Sequence, residues 1–83
     1  MVQMTIEMTE GSLAALRKDA TGFASEMRLA AAAKWYEMGI ISQGRAAEIA
    51  GISRSEFVNS LTRFGVSPFQ SSADEIVEEA RRG

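Results

Sequence analysis

The chain has no cysteine and no histidine. The first absence removes disulfides and thiolate chemistry. The two together remove the commonest metal ligands, the commonest general base and the Cys–His nucleophile pair. One proline, and no Pro- or Gly-rich tract, argue against a disordered chain. No run approaches the roughly 18 apolar residues that a membrane span requires. The opening MVQMTIEMTEGS has no basic stretch followed by an apolar one, so no signal peptide is expected. The expectation is a cytoplasmic protein with no metal and no cofactor. An enzyme is not expected either, because the paired carboxylates near the C-terminus have no pocket-forming sequence around them.

Charge of one sign is also lacking. Nine Lys and Arg stand against eleven Asp and Glu, a net of −2. Residues 72–83 account for that whole imbalance, with Asp74, Glu75, Glu78 and Glu79 against Arg81 and Arg82. Within residues 42–65, Arg45, Arg54 and Arg63 face only Glu48 and Glu56. That weak positive bias is compatible with phosphate contact without demonstrating it. With 83 residues, the chain supports one compact core and little more.

What is present reads as a mainly α fold. An N-terminal β-strand precedes a helical domain with a helix-turn-helix, and a short C-terminal helix follows. Residues 2–9 alternate, with Val2, Met4, Ile6 and Met8 on one face and Gln3, Thr5, Glu7 and Thr9 on the other, the period of a half-buried strand. Ser12 is placed to cap a short helix over Leu13–Lys18. A second helix is expected from between Thr21 and Ser25 to Met38. Its apolar stripe is Phe23, Met27, Ala31, Trp35 and Met38, widened by Leu29, Ala32 and Tyr36. Gly39 stops it, and Ile40 falls where it can pack on Trp35. Ser42 caps a third helix, QGRAAEIA, which Gly51 closes. Ser53 and Glu56 form a capping box for a fourth, with Ile52 and Phe57 as hydrophobic staple. Phe57, Leu61 and Phe64 make its buried face, and Gly65 ends it with Val66 covering Leu61.

The segment SQGRAAEIAGISRSEFVNSLTRFG therefore reads as two helices joined by a tight turn. Ala47 is the small residue such a crossing needs, and Gly51 the turn residue with positive φ. In a DNA-reading unit of this geometry the second helix enters the major groove. Its outward positions are Arg54, Ser55, Val58, Asn59 and Thr62. Arg54 has the paired donors to bond guanine, and Asn59 the donor and acceptor to bond adenine. Gln43, Gly44, Arg45 and Arg63 are candidates for phosphate contact. The alternative is a scaffold or protein–protein interaction module that uses the same corner without binding DNA.

A lone strand leaves its backbone groups half unpaired. Pairing of residues 2–9 with the same strand of a second copy gives a homodimer, through Val2, Met4, Ile6 and Met8. It would place two reading units on a two-fold axis. Internal pairing with Val66–Phe69 is the alternative.

From about Arg28 to Pro68 the sequence resembles a small prokaryotic antitoxin-like family, often labelled only as an uncharacterised protein family. The resemblance rests on LAAAAKWYEMGIISQGRAAEIAGISRSEFVNSLTRFGV. Within it Lys34, Tyr36, Glu37 and Gly39 precede Ser42, Gly44, Ala46, Ala47 and Glu48; Ala50, Gly51, Ser53, Glu56, Phe57, Leu61 and Gly65 follow. Trp35 stands where leucine is common. The resemblance implies a helix-turn-helix antitoxin, often encoded beside a PIN-type ribonuclease toxin. Such a protein represses its own operon and neutralises the toxin with a segment outside the DNA-reading unit. The division would fall between residues 1–66, the DNA-binding domain, and residues 67–83. Phe69, Asp74, Glu75, Ile76, Val77 and Glu79 are the partner-binding candidates of that tail. The alternative for the tail is that it folds back on its own domain.

Overall fold

The computed structural model describes residues 1–68. The expected C-terminal helix and the candidates Phe69, Asp74, Glu75, Ile76, Val77 and Glu79 lie outside the described residues.

Among the described residues four α-helices follow one another: α1 (Glu10–Leu16), α2 (Ala20–Glu37), α3 (Gln43–Ala50) and α4 (Arg54–Ser60). A 3₁₀ turn, Leu61–Phe64, extends α4. Each helix begins on a side chain that satisfies an otherwise unbonded backbone N–H, the requirement at every helix start. Thr9, Asp19, Ser42 and Ser53 accept from the amides of Ser12, Gly22, Arg45 and Glu56. Helix α1 thus starts three residues before the expected Leu13. Thr9 takes the capping role, and Ser12 lies inside the first turn with its hydroxyl 2.9 Å from that of Thr9.

The N-terminal β-strand expected over residues 2–9 is not present; among the described residues there is no strand. The alternation of Val2, Met4, Ile6 and Met8 is real, but all four side chains are exposed. A strand needs a neighbour for its backbone, and the internal one is already occupied. The Val66 amide donates to Leu61 O at 3.1 Å, and Pro68 O accepts from Tyr36 and Gln43.

The core lies where α2, α3 and α4 meet. Ala32, Ala33 and Tyr36 come from α2, Ala46, Ala47 and Ala50 from α3, Phe57 from α4, with Leu61 and Val66 beyond it. Five alanines let the helices approach closely, while Tyr36, Phe57 and Leu61 fill the volume that remains. The Tyr36 and Phe57 rings meet edge to face, centroids 5.9 Å apart and planes at 87°, an arrangement the ring quadrupoles favour.

The buried face of α2 is not centred on the expected stripe. Leu29, Ala32, Ala33 and Tyr36 turn inward, whereas Trp35 and Met38 remain 42% and 59% exposed. The helix is apolar on nearly every side through residues 27–36, so periodicity leaves its phase undetermined.

The ends follow the glycines. Gly39 (φ 75°) and Gly65 (φ 67°) each close a helix in the left-handed region, with Ile40 N–H on Trp35 O and Val66 N–H on Leu61 O. Val66 is buried over Leu61 as expected, but Ile40 stays 60% exposed beside the exposed Trp35. Between Ser60 and Leu61 the α-helix tightens to 3₁₀. The Ser60 hydroxyl donates to Glu56 O at 2.7 Å, a back-bond that competes with the helix ladder at that point.

Gly51 (φ 74°) is doubly constrained. A Cβ there would lie 3.1 Å from Nη2 of Arg28, while at Gly39 and Gly65 it would meet nothing within 4 Å. Gly39→Ala and Gly65→Ala should each cost roughly 1–2 kcal/mol, the strain of a left-handed alanine. Gly51→Ala should cost clearly more. Urea unfolding midpoints of the three variants test this, and equal losses would contradict the close approach of Arg28.

Candidate functional site

Helices α3 and α4 are joined by Gly51-Ile52-Ser53. The turn is pinned on both sides. Ile52 N–H reaches back to Ala47 O at 3.1 Å, and Ser53 and Glu56 cap each other reciprocally. The Glu56 amide donates to Ser53 Oγ at 3.1 Å and the Ser53 amide to Glu56 Oε1 at 3.4 Å. Phe57, fully buried, anchors α4 from below, with Ile52 packed against the same core.

That anchoring decides what α4 presents outward. Arg54, Ser55, Val58 and Asn59 line one open surface depression of about 300 Å³. They occupy positions i, i+1, i+4 and i+5 of the helix, hence a single face. Ser55 and Asn59 are exposed and Val58 half-buried. Thr62 is exposed too, but it belongs to the 3₁₀ turn.

The candidate cations are all engaged. Arg45 pairs with Glu48 at 2.6 Å, both side chains about half exposed or more. Arg63 pairs with Glu26 of α2 and lies over the Phe64 ring, 5.2 Å from its centroid. Exposed pairs of this kind are worth about 0–1 kcal/mol, little enough for a phosphate to replace the carboxylate. Arg45 also stands in the first turn of α3, against the positive end of its own helix dipole, with Glu48 toward the negative end. An anion at the first turn would offset the repulsion felt by Arg45.

Gln43 differs from its expected role. It is the buried polar side chain among the described residues, 9% exposed, rather than an arm toward phosphate. Its Nε2 donates to Pro68 O at 2.7 Å and to Tyr36 Oη at 3.0 Å, while its Oε1 accepts from Arg54 Nε and Nη2 at 3.2 and 3.1 Å. Gly44 is exposed in the first turn of α3. The structure therefore brings Arg54, Ser55, Val58 and Asn59 together, with Gln43 beneath Arg54. Val2, Met4, Ile6 and Met8 precede α1 and are solvent-exposed.

Arg28 is a residue that sequence reading passed over. Its Nε donates to Ile49 O at 2.8 Å, and its guanidinium packs against Gly51. A cation thus sits on the C-terminal carbonyls of α3, where the dipole favours it. Its partner is 21 residues away, and no local pattern signals such a contact.

Among the described residues no group of three or more acidic, cysteine or histidine side chains is placed to hold a metal. No helix among them is long and apolar enough to cross a membrane.

The sequence pattern of the uncharacterised protein family UPF0175 matches residues 1–82. A UPF0175 protein of Aeropyrum pernix is 35% identical over 77 residues, covering 93% of this chain and 81% of the relative. No solved structure matches the chain significantly.

Arg28→Ala is expected to cost about 1 kcal/mol, a charge-assisted bond discounted for exposure. In a Gly51→Ala background the same change should cost measurably less. A double-mutant cycle by urea unfolding reads the difference, and strict additivity would dissociate Arg28 from the turn.

Proposed function

The chain belongs to the uncharacterised protein family UPF0175, and from that premise we propose that it is a DNA-binding helix-turn-helix protein, the antitoxin and autorepressor of a toxin–antitoxin operon. The observation that carries the DNA reading is the outward face of α4. Arg54, Ser55, Val58 and Asn59 share one open surface on a helix whose N-terminus is fixed by a complete capping box. A helix held at that end offers its first residues to base edges in a major groove. Arg54 suits guanine, Asn59 suits adenine, and the Val58 side chain suits a thymine methyl. Arg45, Arg63 and the first turn of α3, with Gly44, flank the face as phosphate contacts, and Thr62 borders it.

The antitoxin part rests on the resemblance of residues 28–68 to antitoxin-like proteins and on the acidic composition of residues 72–83. A tail with net negative charge suits a basic, RNA-cleaving partner of the PIN type. A homodimer is part of the same reading. Its contact is assigned to the exposed apolar side chains of Val2, Met4, Ile6 and Met8, without a strand in the single copy. A protein-interaction module without DNA binding is favoured by one observation, the internal pairing of Arg45, Arg54 and Arg63.

Mobility-shift titration on the DNA upstream of its own gene tests the reading. Specific binding is expected, weakening steeply with salt as released counterions require. Arg54→Ala should cost roughly 1–3 kcal/mol at one base pair. Equal affinity for the upstream DNA and random duplex would exclude sequence readout and favour the interaction module.

Removal of residues 71–83 leaves Pro68 O as a peptide carbonyl, still able to accept from Gln43 and Tyr36. That variant should keep DNA binding and lose inhibition of the neighbouring nuclease. Retained inhibition would exclude residues 71–83 as the toxin-binding segment. In sedimentation the intact protein should be a dimer at micromolar concentration and the chain lacking residues 1–8 a monomer; a monomeric intact protein would remove the dimer.

A further inference from the structure

The amide of Gln43 lies between two partners that leave it one orientation. A guanidinium has no acceptor, so Arg54 must face Oε1; a peptide carbonyl has no hydrogen, so Pro68 must face Nε2. The assignment of oxygen and nitrogen therefore follows from the chemistry of the neighbours. Two N–H groups of Arg54 converge on the single Oε1, at 3.2 and 3.1 Å. Nε2 is held in turn by Pro68 O at 2.7 Å and Tyr36 Oη at 3.0 Å, and Tyr36, fixed in the core, also donates to Pro68 O at 3.0 Å.

We infer that Gln43 is a positioning residue: it presets the Arg54 guanidinium for a guanine in the major groove and so determines base preference without touching DNA. The inference rests on the DNA-binding reading and deepens it. An arginine at an exposed first helical position has a large rotamer entropy to lose on binding. Here the buried amide has already restricted it, so the base meets a fork whose direction is set in advance. The nearest replacements for Gln43 do not serve both partners. Glutamate offers Arg54 an oxygen but has no hydrogen for Pro68 O. Methionine has neither group, and asparagine is one methylene too short. Residues 43 and 54 open α3 and α4 respectively, so the contact also ties the starts of the two helices together.

The test uses full-length protein and a pool of randomised duplexes, from which wild type, R54A, Q43M and Q43E each select binding sites. Wild type should select a guanine at one position that R54A no longer selects. Q43M should lose roughly tenfold or more of its preference at that same base pair, with the loss confined to it. Q43E, which keeps an oxygen toward Arg54, should recover the preference. Undiminished preference in Q43M, or a loss spread evenly over the site, would overturn the inference alone. A wild type that selects no sequence would overturn the DNA reading and this inference with it. Should Q43M fail to fold, the free wild-type protein decides. Its Arg54 Nε–H should give a resolved, slowly exchanging NMR resonance distinct from that of Arg45. Averaging of the two would overturn the presetting.

Discussion

The molecule depends on how closely α2 and α3 approach each other. Ala32 and Ala33 on one helix and Ala46, Ala47 and Ala50 on the other bring only methyl groups to the shared core, which permits a close approach of the two helices. A larger residue at any of these positions would push the helices apart, and such overpacking typically costs about 1–3 kcal/mol. The rest of the core is fitted to this spacing. Tyr36 reaches past the alanines to Phe57, which fixes α4, and Leu61 and Val66 close the remaining side. Because five of the nine core residues among those described are alanines, most core positions contribute little apolar area. Stability is correspondingly sensitive to the three large side chains.

The same crowding accounts for the polar layer. Tyr36 presents its ring to Phe57 and its hydroxyl to the margin of the core, where Gln43 and Pro68 meet it. A buried amide without partners would cost about 1–3 kcal/mol; here both ends are bonded. Arg28 performs a related service at the other end of α3, bonding Ile49 O beside the turn glycine. Both ends of α3 are thereby bonded to residues far along the chain, and α4 inherits its direction from α3.

Features written within four or five residues were legible in the sequence. The Ser42 and Ser53 caps, the Glu56 box, the stops at Gly39, Gly51 and Gly65, and the cover of Leu61 by Val66 all depend on neighbours along the chain. Features that need a distant partner were misread or missed. The alternation at residues 2–9 has the period of a strand, but pairing requires a second backbone, and the internal candidate around Val66 and Pro68 is bonded elsewhere. Gln43 looks like a surface residue in sequence because its carbonyl partner is 25 residues away. The phase of α2 was hidden for a different reason: a helix apolar on almost every side does not announce which side is buried. The outward group Arg54, Ser55, Val58 and Asn59 was legible because the capping box and Phe57 together fix the rotation of α4.

The tightening of α4 after Ser60 has an informational consequence. A 3₁₀ turn advances about 120° per residue instead of about 100°, so residues past Ser60 rotate out of line with the face begun at Arg54, and Arg63 reaches Glu26 on α2. The straight α-helical face covers seven residues, about 10 Å, against a rise of about 3.4 Å per base pair. One copy thus has room for about three base pairs, on the order of six bits of sequence. A genome presents on the order of a million or more competing sites, and six bits distinguish fewer than about a hundred of them. Under the proposed reading, the brevity of α4 makes a lone copy an inadequate address, and selectivity has to come from several copies reading adjacent sites together.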